Sequence, residues 1–300
     1  MAGRLSNMFN KQVAKGSHSK KVAVEAAGLA HMKHDSTKIM SIYPKQLIAG
    51  TGQSIGLQRD HNEDALFSLT CELADGKIQK EFGLFIIADG MGGHRNGEIA
   101  SSVACRVISR FIMQKFIDIS TFDKFDLSEE DWKGHLNQAI AEAQQAVLKQ
   151  APGGGTTATV VIWYGDKLNI AQVGDSRAYF VLPDGRLEKI TTDHSLVQRL
   201  VDLNEITESE ADVHPQKNVL LRAIGQPDPL KADVNKIPIP AGAKLMLCSD
   251  GLWGVVDEAA IAKTVLQIDD PVAACGQLVA AANARGGPDN ISVIIAGLKE

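Results

Sequence analysis

Hydrophobic and polar positions along the chain alternate between short, wholly apolar runs and longer amphipathic stretches. Residues 84–88 are apolar throughout, too few for a helix, and read as a buried strand that ends at Asp89. Four glycines follow within eight residues, and then the period changes. Ile99, Val103, Val107 and Ile108 share one face at helical spacing, so a helix beginning near Glu98 is expected. Residues 118–130 form a polar connection, in which Ser128 and Asp131 have the spacing of a capping box. Leu136, Ile140, Ala143 and Val147 then predict a second helix, stopped by the proline and glycines of residues 152–155.

Beyond it the pattern shortens. Residues 156–163, 167–173, 177–182 and 186–190 read as strands, joined at Gly165-Asp166, Gly174-Asp175 and Pro183-Asp184-Gly185. Connections so short predict an antiparallel meander. Residues 191–215 are polar and partly helical, with a second capping-box pair at Thr207 and Glu210, and suggest a surface flap. Residues 244–248 repeat the earlier grammar, a buried strand running into Asp250-Gly251. Helices are expected over residues 257–267 and 271–284, then Asp289 and a last apolar strand at 291–298. At the other end, residues 46–56 are mixed and turn-rich, and the polar cluster 58–64 precedes a short strand at 65–69. Asp75-Gly76 marks a hairpin turn before the strand that leads to Asp89. The order predicts an α+β fold: a four-layer α-β-β-α sandwich of two antiparallel sheets flanked by helices.

Composition narrows the class. With 300 residues, 44% of them apolar, the chain can bury a large core. It has no run of 18 apolar residues, so no membrane span is expected, and residues 1–14 do not read as a signal peptide. Cys71, Cys105, Cys248 and Cys275 lack CxxC spacing and read as reduced thiols of a cytoplasmic protein. Residues 1–45 hold eight Lys/Arg against two Asp/Glu, whereas the remainder holds 23 against 34. The first part reads as a basic, flexible extension, either solvated or a docking arm for an acidic partner or membrane surface. The acidic remainder argues against nucleic-acid binding.

Asp89, Asp250 and Asp289 each stand at the end of an apolar strand beside glycine. Carboxylates brought together raise one another's pKa, and divalent cations relieve the repulsion. An all-oxygen set favours Mg²⁺ or Mn²⁺, and a water between two such ions suits phosphoryl transfer. Arg59, beside the acidic cluster, is the candidate phosphate clamp. From spacing alone, each Asp-Gly pair reads equally as a turn.

In order along the chain stand Arg59-Asp60-His61-Asn62-Glu63-Asp64, Asp89-Gly90-Met91-Gly92-Gly93-His94 and Gly155-Thr156-Thr157. Val173-Gly174-Asp175-Ser176-Arg177, Thr192-Asp193-His194-Ser195 and Leu221-Arg222-Ala223-Ile224-Gly225 follow. Cys248-Ser249-Asp250-Gly251-Leu252-Trp253 and Gly287-Pro288-Asp289-Asn290-Ile291-Ser292 complete the series. With these motifs the chain resembles the type 2C metal-dependent Ser/Thr protein phosphatases in their compact bacterial form, over residues 50–297 or so. The resemblance implies that Asp89 bridges two metals and that the Gly90 carbonyl binds one of them. It implies that Asp250 and Asp289 hold the other, and that Glu63 and Asp64 serve the second directly or through waters. Asp175, with Asp250, matches a weaker third site, and residues 195–222 match a flap that influences substrate choice. Some members carry a histidine directly after the Asp-Gly pair as leaving-group acid; here Met91 stands there, leaving His94, His61 or a water on the metal.

The implied activity is hydrolysis of phosphoserine and phosphothreonine by direct attack of a metal-activated water, with Arg59 and His94 as catalytic candidates. Two Mg²⁺ or Mn²⁺ ions per site are implied, with a weaker third. The expected partners are phosphorylated proteins, including a Ser/Thr kinase and its substrates, and the expected state is a monomer with its catalytic domain at residues 46–300. No CxxxxxR cysteine-nucleophile motif is present. Two alternatives stand beside this reading: an idle phosphoprotein-binding regulator on the same fold, and a phosphatase dedicated to one small regulatory partner.

Overall fold

The strand at residues 84–88 is apolar on both faces because it has a core on each side. In the computed structural model, which describes residues 45–74, 79–92, 95–122, 131–227 and 229–299, it belongs to the longer strand β3 (Gln79–Met91). Leu84, Ile86 and Ala88 face one hydrophobic cluster, and Phe85 and Ile87 face another. The basic extension up to Pro44, the Asp75-Gly76 turn and His94 lie outside the described residues.

In chain order come β1 (Gln46–Ser54), β2 (Asp64–Ala74), β3, α1 (Arg95–Phe122), α2 (Trp132–Gln150), β4 (Gly155–Thr156), β5 (Ala158–Tyr164) and β6 (Lys167–Val173). There follow β7 (Arg177–Val181), β8 (Leu187–Lys189), α3 (Leu196–Asp202), α4 (Glu208–Asp212), β9 (Asp233–Pro238) and β10 (Lys244–Cys248). The chain closes with α5 (Asp250–Trp253), α6 (Glu258–Gln267), α7 (Pro271–Ala284) and β11 (Ile291–Lys299). One antiparallel sheet has the order β1-β11-β10-β7-β8 and the other β2-β3-β5-β6-β9, with β4 paired to β3.

Three cores separate four layers. Helices α1 and α2 cover the second sheet, α6 and α7 cover the first, and Phe85, Trp163, Phe180, Leu245 and Ile294 fill the space between the sheets. This is the α-β-β-α sandwich expected from the pattern. Leu136, Ile140, Ala143 and Val147 of α2 are all buried as predicted, and the Thr207–Glu210 capping box opens α4.

Several local expectations need correction. Ile99 is exposed: the buried face of α1 is Ala100, Val103, Ala104, Ile108 and Ile112, with Val107 only partly buried against it. Helix α1 also outruns residue 118, ending at Phe122, and its Phe116 stacks on Phe82 at 3.9 Å. The N-cap of α2 is Asp131, which accepts the Gly134 N–H at 2.9 Å; Ser128 lies outside the described residues.

The expected meander is split between sheets. β5–β6 and β7–β8 are hairpins, but β6 and β7 belong to different sheets, and Gly174, with φ of +96°, turns the chain across. Most of residues 46–56 is not a turn region but strand β1, which ends at Ser54. Its glycines are there for closeness: a Cβ on Gly50 would enter the Pro271–Val272 backbone of α7. Edge strand β9, only partly buried, has too weak an apolar signal to be read from sequence.

Candidate active site

Sheet register brings the first two carboxylates together. Asp64 of β2 stands directly opposite Asp89 of β3, and residues so paired share a face. The first sheet supplies the others: Asp250 begins α5 just after β10, Asp289 just precedes β11, and β10 pairs with β11. Asp175 sits in the turn that crosses between the sheets. Mutual electrostatic effects link Asp64 and Asp89 with Asp250 and Asp289, and link Asp175 with Asp89 and Asp250.

Uncharged neighbours fix this arrangement. The Asp89 N–H donates to Thr157 Oγ1 at 2.9 Å, and the Thr157 N–H returns a bond to the Asp89 carbonyl at 2.8 Å. The Ser249 hydroxyl donates to Asp64 Oδ2 at 2.8 Å. Asn290 holds the acidic loop: its Oδ1 accepts the Glu63 N–H at 2.8 Å, and its Nδ2 donates to the Ile55 and His61 carbonyls. Gly90 is required by closeness, since a Cβ there would strike the Gly97 and Glu63 carbonyl oxygens. Trp253 donates its indole N–H to the Asp175 carbonyl at 3.1 Å and stacks under Arg177 at 3.5 Å. Sequence reasoning gave no role to Thr157, Ser249, Asn290 or Trp253. Their only sequence signal is a place inside the same short motifs.

Arg59 lies in the site, but its partner is unforeseen. Its Nη2 is 2.6 Å from Asp289 Oδ2, and this hydrogen bond is the main reason its pKa rises. Glu63 lies 3.4 Å from His61 Nε2. His94 and Gly93 lie outside the described residues.

The carboxylates are strongly perturbed. Burial first, then the charges of Asp250 and Asp289, push Asp64 up to about 7. Burial and Asp250 raise Asp175 to about 7, and burial and Asp289 raise Asp250 to about 6. Asp89 lies well above the usual carboxylate range, through burial and then the charges of Asp64, Asp250, Asp175 and Asp289. Repulsion of this kind is what a cation relieves.

Among the described residues no three His, Cys, Asp or Glu side chains are already drawn into a closed metal cage. The donor set nevertheless fits hard divalent ions. Asp64 Oδ1 is buried without a hydrogen-bond partner, and Asp89 and Asp250 are half-buried residues. Mg²⁺ completes its shell with water and needs few direct protein ligands, so an open group of carboxylates suffices.

Comparison with known proteins gives the family and the fold. A family profile described as protein phosphatase 2C matches residues 51–281. The serine/threonine phosphatase stp of Listeria innocua is 34% identical over 246 residues, covering 80% of this chain and 91% of that protein. The crystal structure of the Mycobacterium tuberculosis serine/threonine phosphatase PstP/Ppp superimposes with a TM-score of 0.70 at 31% identity, over 85% of this chain and all of that one. A PstP catalytic domain in complex with two manganese ions gives a TM-score of 0.67 at 28% identity, over 86% of this chain and all of that one.

Proposed function

The chain belongs to the protein phosphatase 2C family, a metal-dependent group, and is a serine/threonine phosphatase by that membership; from this premise we propose that its five-aspartate cluster is the catalytic centre. The observation that carries the reading is the convergence of Asp64, Asp89, Asp175 and Asp250, whose pKa values are raised, with Asp289, which Arg59 contacts.

Asp89, the Gly90 carbonyl, Asp250, Asp289, Glu63 and Asp64 would hold two Mg²⁺ or Mn²⁺ ions, and Asp175 with Asp250 would offer a weaker third position. Cations bound there would supply an acidified water and neutralisation of charge on the phosphoryl oxygens. Arg59 supplies a planar guanidinium for those oxygens, which requires it to share or leave Asp289. Thr157, Ser249 and Asn290 keep the carboxylates in place as substrate arrives. His61, beside Glu63, or His94 donates a proton to the leaving serine or threonine oxygen.

The substrates are phosphorylated proteins, including a Ser/Thr kinase and its targets, met by a monomer in the cytoplasm. No helix among the described residues is long and apolar enough to cross a membrane. Residues 1–45 act as an extension outside the catalytic domain. Phosphate release from phosphoserine, phosphothreonine and phosphotyrosine peptides, with Mn²⁺ and with EDTA, tests the reading. Mn²⁺-dependent release from the first two supports it; release only from phosphotyrosine, or undiminished by EDTA, overturns it.

A further inference from the structure

The flap, residues 195–222, leaves and rejoins the body at a single neck. There Leu221 N–H donates to the His194 carbonyl at 2.7 Å, Leu196 N–H donates to the Val219 carbonyl at 2.8 Å, and Ser195 bridges Leu220. The two ends of the neck are held differently. On the outgoing side, His194 is fastened to Gly174, the residue before Asp175. Its N–H donates to the Gly174 carbonyl at 2.8 Å, and its Nδ1 accepts the Gly174 N–H at 3.3 Å. Just before it, Asp193 accepts Arg177 Nη2 at 2.7 Å. The Asp193-His194 pair thus grips the Asp175 turn on both flanks.

Since Nδ1 accepts, the ring proton is placed on Nε2, which lies 3.1 Å from Asp233 Oδ2 and 3.2 Å from Arg222 Nη1, and it is donated to the carboxylate. On the return side, Arg222 Nη1 donates to the other oxygen of the same carboxylate, Asp233 Oδ1, at 2.9 Å. Asp233, the first residue of β9, therefore joins the outgoing and return ends of the flap to the sheet. Main-chain bonds hold the outgoing end to Gly174 and the return end to His194 and, through Ile224, to Thr156; the side-chain bridge adds the tie between the return end and β9.

We propose that the Arg222–Asp233 bridge is a latch that positions the flap for the polypeptide of the substrate, without contributing to the phosphate site itself. The flap carries an apolar surface that the fold leaves exposed: Leu203, Val213, Val219 and Leu221. A peptide around the phosphorylated residue offers contacts to that surface, and a small aryl phosphate does not. Arg222 and Asp233 are positioning residues: loosening the latch changes recognition of the chain and releases the His194 Nε2 contacts, while the main-chain bond from His194 to Gly174 keeps the Asp175 turn in place. The inference rests on the phosphatase reading above.

The test compares Arg222→Ala, Arg222→Lys, Asp233→Ala and the double alanine variant on two substrates with saturating Mn²⁺: a phosphothreonine peptide and p-nitrophenyl phosphate. Both latch partners are about two-fifths exposed, so the variants should fold. Each single alanine variant is expected to raise KM for the peptide at least about threefold, with kcat and aryl phosphate turnover within about twofold of wild type. The double variant should be no worse than either single one, and Arg222→Lys should recover most of the loss, because Arg222 reaches Asp233 through one nitrogen, Nη1, and not through a bidentate fork. Trypsin should cut at Lys217 faster in Arg222→Ala than in wild type. Equal losses on both substrates, an unchanged peptide KM or additive single effects would overturn the latch. Should wild type release phosphate from neither substrate, the phosphatase reading fails, and Lys217 cleavage alone decides the latch: faster supports it, unchanged rejects it.

Discussion

Asp64 and Asp89 stand side by side on adjacent strands, where like charges ordinarily cost stability, and burial compounds the cost. A pH signature follows for the metal-free protein. Asp64 and Asp175 titrate at about 7 and Asp250 at about 6 when folded, against roughly 4 for an unfolded aspartate. Between those values the folded state binds more protons than the unfolded one, so stability falls as pH rises. The melting temperature in EDTA should therefore drop between about pH 5 and pH 7.5, and saturating Mn²⁺ should remove most of the drop. Arg59 makes a second residue-level test. Arg59→Ala should cut kcat/KM at least about tenfold, since charged hydrogen bonds to phosphate are lost. Mn²⁺ affinity by titration calorimetry should hold or rise, because a competitor for Asp289 is gone. Arg59→Lys should rescue little, lacking the planar fork. Parallel loss of Mn²⁺ binding and activity would make Arg59 a structural partner of Asp289 instead.

At the scale of elements, glycine decides how closely helix and strand approach. Gly50 of β1 lies against the backbone at the start of α7. Gly50→Ala should lower stability by about 1–3 kcal/mol, read as a shifted urea midpoint with unchanged slope. The same glycines explain what the sequence concealed. Gly50 and Gly52 break the alternation of a strand, so β1 looked like a turn, although they serve packing against α7. β3, β10 and β11 were legible because burial on both faces leaves an unbroken apolar run. The split at Gly174 was not, because a two-residue turn looks the same whether the next strand pairs with the last or crosses to another sheet. The aspartates were legible as residues at strand ends, and their grouping followed from family resemblance. The supports Thr157, Ser249 and Asn290 carry no chemistry of their own and become visible only through their hydrogen bonds.

For the molecule as a whole, a site fed by both sheets places its carboxylates on elements that three separate cores hold in register. The sheets begin at residue 46 and the family match at residue 51. Deleting residues 1–45 should therefore leave turnover of a small aryl phosphate within about twofold of wild type and the melting temperature nearly unchanged. A large fall in melting temperature would mean that the segment packs on the body; an effect only with protein or membrane partners would mark it as a docking arm. The central claim, that the aspartates hold the cations on which phosphoester hydrolysis depends, is tested most directly by one titration. Phosphate release from a phosphothreonine peptide is followed against Mn²⁺ concentration for wild type, Asp89→Asn and Asp250→Asn, with circular dichroism on each. The account predicts saturable activation of wild type and almost no turnover by either folded variant at any Mn²⁺ concentration. Near-wild-type turnover by either variant at saturating Mn²⁺, or wild-type turnover indifferent to the metal, would contradict it.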